Sequence, residues 1–335
     1  MAIASVDASN CYDWVNHVIM SLVWLALLGS FTAIRAALVT LQTMRFYQRT
    51  GYGESQTFFG GGNLFKYIMG LGQGSRGAPP SWIQISTILI NVMKRRGCGA
   101  KIVDPLTGYM IESLGGFFVD DADLFTWDEA FETSEQVWKK MQEDATAWGD
   151  TLKASGGGLK PPKCFWTLVA YQCVEGVWLP DDCVEYELFI DDLDGTPVKI
   201  DHVSMDEARK TLGIYDSHGG GNTEHLEQLE EKMNTWMTRV KNGHLPSHMA
   251  WMAYRLQLWT GIRYGIGTLT NKLKPAVDLF YDKDYMMLPL LGVARTVSTH
   301  LRRLPRTLGG FGLFSFPLEQ AICRINLFLQ HYHTY

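Results

Sequence analysis

The stretch from Ser113 to Trp127, SLGGFFVDDADLFTW, constrains this chain more than any other: two adjacent aspartates stand between two apolar runs. Apolar runs of this length bounded by a sharp polar break read as the two strands of a hairpin, with Asp120 and Asp121 at the bend. Burying an ionised carboxylate is costly, and two neighbouring ones repel each other as well. A bound cation resolves both problems. The Asp-Asp pairs at 181–182 and 191–192 read instead as solvated turns, so the dipeptide alone proves little.

A second acidic position lies near the start. Asp7 follows the short apolar run Ile3–Val6, which reads as a strand, and Asp13 comes six residues later. Asp7, Asp120 and Asp121 together make a three-carboxylate set at strand ends. Hard oxygen donors of this kind suit Mg²⁺, which keeps waters and accepts phosphate oxygens, and Mn²⁺ is an alternative.

The rest of the chain divides by charge. Residues 1–111 carry 9 basic and 4 acidic side chains, 112–231 carry 8 and 27, and 232–306 carry 12 and 3. An acidic middle beside a basic final third suits one region that gathers cations and another that grips a polyanion. The six cysteines, at 11, 98, 164, 173, 183 and 323, form no dense framework and no paired zinc spacing, so they read as reduced thiols of an intracellular protein, nuclear or cytoplasmic. The uncharged run from Val18 to Ile34 is 17 residues long, short of a bilayer span, and reads as a helix buried on all sides; a membrane anchor is the competing reading.

Local signals fill in the elements. The helical pattern continues from the apolar run through RAALVTLQTMRFYQR to Gly51, and the glycines between 51 and 77 read as loops around a short strand or turn. Pro79 and Pro80 open a helix that Gly97 closes. Thr133 and Gln136 predict a capping box for a helix whose Val137, Met141, Ala145, Trp148 and Leu152 share one face. Asp194-Gly195 marks a hairpin turn, and beyond Asn222 the pattern is helical, with a boundary in the glycine-rich DSHGGGN near residue 217.

Taken in order, the Asp7 strand with Tyr12 five residues on, the GLGQGSRGAPP turn into a helix, the Phe-Val-Asp-Asp hairpin, the loop GGGLKPPK and the strand TLGIYDS make a series. That series resembles the reverse transcriptases, especially those of non-LTR retroelements. The resemblance implies an α+β polymerase palm with partial fingers over 1–216 and a helical thumb or connection region over 217–335. It implies an RNA-directed DNA polymerase of a retrotransposon, using two Mg²⁺ ions to join deoxynucleoside triphosphates to a DNA primer on an RNA template, with no membrane involved. Asp7, Asp120 and Asp121 would be the metal ligands. Lys163, with Lys160 as a neighbouring alternative, would assist pyrophosphate departure.

Tyr12 would crowd the ribose 2′ position, Gln73 and Gly74 would border template and nucleotide, Phe118 would stand near the primer end where the family commonly has tyrosine, and Leu212 with Gly213 would grip the primer backbone. The alternative for Tyr12 is an aromatic packed beneath the strand, and for Gln73-Gly74 a plain turn. The family carries basic fingers residues ahead of its first aspartate strand, whereas six residues precede Asp7. The resemblance therefore implies that a fingers region of a longer polyprotein is missing, and that primer extension by this chain alone is weak or nil. A catalytically silent fragment that binds nucleic acid is the alternative.

Overall fold

In the computed structural model, residues 1–9, 11–60, 70–72, 75–181, 185–269 and 273–332 are described. They form two compact units, Met1–Ser204 and Met205–Tyr335.

The first unit is built on a six-stranded sheet. Strand β1 (Ala2–Asp7) is followed by helices α1 (His17–Leu28) and α2 (Phe31–Thr43), the hairpin β2 (Arg45–Thr50) and β3 (Gly53–Gly60), and helix α3 (Ala78–Arg95). Then come β4 (Ala100–Val103), β5 (Met110–Ser113), β6 (Gly115–Phe118), β7 (Asp121–Thr126) and the long helix α4 (Ser134–Ala154). Strands β8 (Phe165–Leu168), β9 (Tyr171–Val174), β10 (Val177–Pro180), β11 (Leu188–Asp191) and β12 (Pro197–His202) complete it. The sheet order is β11-β12-β8-β1-β7-β6, antiparallel except between β12 and β8. This mixed α+β architecture with a mostly antiparallel sheet is the fold class expected from the sequence.

Ala2, Ala4 and Val6 are almost wholly buried because β1 runs through the middle of the sheet. Helix α4 begins with the anticipated capping box, Thr133 accepting from the Gln136 N–H and the Gln136 side chain accepting from the Thr133 N–H. Its buried stripe, Val137, Met141, Ala145, Trp148 and Leu152, packs on β1, β7 and β11. Asp144 is buried in the same stripe and is satisfied by Thr126 Oγ1 at 2.8 Å and Lys140 Nζ at 2.7 Å. That pairing removes the penalty an isolated carboxylate would carry there.

Two expectations are corrected. The run Val18–Ile34 is not one buried helix: Gly29, in the left-handed conformation at φ 65°, ends α1, and Ser30 caps α2. Met20, Val23 and Ile34 are buried, while Val18, Leu22, Leu25, Leu27 and Phe31 are exposed. Among the described residues no helix is long and apolar enough to cross a membrane. The helix also stops at Thr43, and the aromatic residues that follow turn into the exposed β2–β3 hairpin, where Tyr47 and Phe58 pair at 5.8 Å and the Arg45 guanidinium lies 4.5 Å from the Phe58 ring centre. Cross-strand aromatic pairing there outweighs the helical pattern.

The second unit opens with a hairpin, β13 (Arg209–Thr211) and β14 (Ile214–Asp216), and continues as helices α5 (Thr223–Asn242), α6 (Ser247–Ala253), a π turn (Tyr254–Leu258), α7 (Trp259–Arg263), α8 (Leu273–Met287), α9 (Thr299–Arg303) and α10 (Phe316–Tyr332). Its own core gathers Leu229, Met233, Trp236, Tyr254, Trp259, Phe280 and Phe316. The aromatic residues interleaved with the basic ones in sequence are therefore largely core: Trp236, Trp251, Tyr254 and Trp259 are buried, and Tyr264 is exposed. Lys232, Arg239, Lys241, Arg263, Arg295 and Arg306 remain at the surface.

Candidate active site

The antiparallel register sets Asp7, the last residue of β1, directly opposite Asp121, the first residue of β7. Directly opposed residues point to the same face of a sheet, so two of the three carboxylates share one side of the strand ends. Asp121 is also paired across the hairpin with Phe118, leaving Val119 and Asp120 as a two-residue turn. Asp121 is held above the usual carboxylate range, first by burial, then by the charges of Asp120 and Asp7.

The turn is held from two sides. The backbone N–H of Ala8 donates to the Asp120 carbonyl at 2.9 Å, and the indole N–H of Trp82, on α3, donates to the Val119 carbonyl. Val119 needs such support, because its φ is +58°, a left-handed value that a β-branched residue rarely takes. In two-residue hairpins a positive φ at the first central position is usually given to glycine. Val119→Gly is expected to raise stability by about 1 kcal/mol, the left-handed cost of ~1–2 kcal/mol being partly offset by glycine's extra chain entropy. A urea midpoint that fell would show that the valine side chain contributes more than its strain removes.

Lys163 is the cation of this site. Its Nζ lies 2.8 Å from Asp7 Oδ2, and that hydrogen bond holds the amine above the ordinary lysine range. The loop reaches Asp7 because its backbone is tied to the strand end: the Lys160 N–H donates to the Asp7 carbonyl at 3.0 Å, and the Asp7 N–H donates to Cys164 Sγ at 3.4 Å. Lys160 thus contributes its backbone and Lys163 its charge.

Tyr12 and Cys11 border the acidic group. Burial is the largest cause pushing the Cys11 thiol up to about 12, and the Asp120 charge is the next. Tyr12 is pushed up in the same direction, by burial and then by Cys11 and Asp120. Its ring meets Trp82 edge-on at 6.4 Å, and its carbonyl accepts from the Leu71 N–H at 2.7 Å. Gly70 lies so close to this backbone that a Cβ there would sit 2.5 Å from Asp13 and Tyr12 main-chain atoms. Gln73 and Gly74 lie outside the described residues.

Leu212 and Gly213 are in the second unit, at the turn of the β13–β14 hairpin, with φ of 50° and 86° and with Tyr264 Oη donating to the Leu212 carbonyl at 2.8 Å. The first unit therefore brings together Asp7, Asp120, Asp121, Lys163, Tyr12 and Phe118. Sequence reasoning passed over Trp82 and Val119. Trp82 had a signal only in its place on the buried face of α3, and Val119 only in its position inside the turn.

Among the described residues no three His, Cys, Asp or Glu side chains are gathered closely enough to hold a metal ion as they stand. The donor chemistry nonetheless fits a hard divalent cation: three carboxylates near one strand end, one raised by burial and then by its neighbours' charge, and one paired with a lysine. No family model and no curated protein sequence matches the chain.

Proposed function

We propose that the first unit is the palm of an RNA-directed DNA polymerase of the retroelement type, acting on a DNA primer and RNA template with deoxynucleoside triphosphates. The observation that carries this reading is the register of Asp7 against Asp121, with Asp120 in the adjoining turn. Asp7, Asp120 and Asp121 would hold two Mg²⁺ ions, which supply charge neutralisation of the triphosphate and activation of the primer hydroxyl. Lys163, already protonated against Asp7, would pass to the phosphate oxygens and donate to the departing pyrophosphate. Tyr12 would flank the incoming sugar, and the exposed Phe118 the primer end. The basic surface of the second unit, Lys232 to Arg306, would serve as thumb, with Gly213 at the primer grip.

The metal reading is tested without turnover by titrating the chain with Mn²⁺ and following the free ion by electron paramagnetic resonance. Binding that weakens at least tenfold in Asp121→Asn is expected; a chain that retains no Mn²⁺, or a variant that binds as well as its parent, would sink it. Thumb binding has its own signature. Affinity for a primer–template duplex should fall steeply between 50 and 200 mM salt, roughly one power of the salt dependence per phosphate contacted. Filter binding indifferent to salt would assign the basic surface elsewhere.

A second reading is a polymerase-like fold that binds nucleic acid without extending it. The ion pair that engages Asp7 with Lys163 favours it, since a carboxylate committed to a lysine is a poorer metal ligand. Primer extension in Mg²⁺, abolished by chelation, separates the two.

A further inference from the structure

Two arginines of the second unit converge on one tryptophan. The guanidinium carbon of Arg306 lies 4.6 Å from the Trp251 ring centre, and that of Arg255 lies 5.8 Å from it. The ring itself is fixed, with its indole N–H donating to the Leu291 carbonyl at 2.9 Å. The Phe311–Gly312 segment anchors both side chains: Arg306 Nε donates to the Phe311 carbonyl at 3.2 Å, and Arg255 Nη2 to the Gly312 carbonyl at 3.4 Å.

Neither guanidinium has a carboxylate within 4.0 Å among the described residues, although two like charges side by side call for a counter-charge. Arg255 Nε is buried and has no acceptor among the described residues. Burial and the neighbouring Arg255 charge both disfavour the charged form of Arg306. The pair faces a groove of about 490 Å³, lined also by Ser247, His248 and Met252. Arg255 sits in the π turn, a distortion that recurs at functional sites.

We infer that this groove binds a phosphate group, held by the forks of Arg255 and Arg306 against the face of Trp251. A guanidinium fork presents parallel N–H groups that match two oxygens of a phosphate, and its contact with the ring keeps it oriented. The groove has room for the body that carries the phosphate, which is either a free nucleotide or one link of a nucleic-acid strand. The site lies wholly within the second unit and does not rest on the polymerase reading.

The test uses the full chain at fixed, low salt, with deoxyadenosine monophosphate followed by calorimetry and a fluorescein-labelled twelve-nucleotide single strand followed by anisotropy. Arg306→Gln changes an exposed side chain, with circular dichroism as the check on folding, and it should weaken phosphate binding about tenfold or more. Arg255→Lys keeps the charge and loses the fork, and should weaken binding several-fold. Arg49→Gln, an exposed change on β2, should alter neither. Loss of mononucleotide binding alone in the two groove variants identifies a free phosphate ester as the ligand; loss of both probes identifies a strand backbone. No binding of either probe by the parent chain, or an Arg306→Gln chain that binds both as the parent does, overturns the proposal.

Discussion

On the proposed polymerase reading, and in a chain joined to an upstream fingers segment, asparagine in place of Asp120 is expected to lower Mg²⁺-dependent nucleotide incorporation about a thousandfold while leaving the fold intact. The turn that carries the residue depends on its backbone, since the Asp120 carbonyl accepts from Ala8 and the Val119 carbonyl from Trp82. Asn preserves both contacts and is well tolerated in turns. An amide oxygen is a poorer ligand for a hard cation. A metal contributes several kcal/mol of transition-state stabilisation, and about 4 kcal/mol corresponds to a factor near a thousand. Removing the Asp120 charge also removes one cause of the raised Asp121, whose carboxyl should shift back toward the ordinary range. Primer extension on an RNA template, with circular dichroism as the check on folding, measures the first effect, and a carboxyl titration by nuclear magnetic resonance measures the second. Incorporation that survived the substitution would remove the carboxylates from any catalytic role.

Arg303→Met should destabilise the second unit by about 3–5 kcal/mol, because it leaves a buried carboxylate without its cation. Arg303 Nη2 lies 2.6 Å from Asp284 Oδ2, and the same guanidinium donates to the Phe314 carbonyl and lies over the Tyr281 ring. Burial already pushes the Asp284 carboxyl upward despite that partner. The double change Arg303→Met with Asp284→Leu should recover much of the loss, since an ion pair replaced by apolar side chains of similar size is often neutral. Urea denaturation followed in the near-ultraviolet would decide it. A single variant within 1 kcal/mol of the parent would show that water reaches Asp284.

What could be read from the sequence was local. Apolar runs on either side of Asp120 and Asp121 sufficed for the β6–β7 hairpin, and Thr133 with Gln136 sufficed for the start of α4, because turn and cap chemistry act over a few residues. The failures came where distant partners decide. Phe46 and Tyr47 follow a helical pattern yet pair with Phe59 and Phe58. Gly29 and Ser30 split an apolar run whose uniform hydrophobicity hid which side is covered. The opposition of Asp7 and Asp121 spans more than a hundred residues, and nothing in either segment alone sets that register. The strained Val119 and its clamp from Trp82 were illegible for the same reason: a backbone conformation imposed from outside leaves no mark on residue type.

Strand β1 precedes both of its sheet partners in the chain by more than a hundred residues. Its neighbours in the sheet are β7, which begins at Asp121, and β8, which ends at Leu168. At a synthesis rate of ~5–20 residues per second, the apolar segment Ala2–Val6 waits roughly ten to thirty seconds on the ribosome before both partners exist. Until then its hydrogen-bonding edges are open to any other extended chain. That open edge leaves the nascent chain prone to aggregation, and slowing elongation downstream of α4 lengthens the exposure. Holding the Ala2–Val6 segment with a chaperone during synthesis should therefore improve soluble yield.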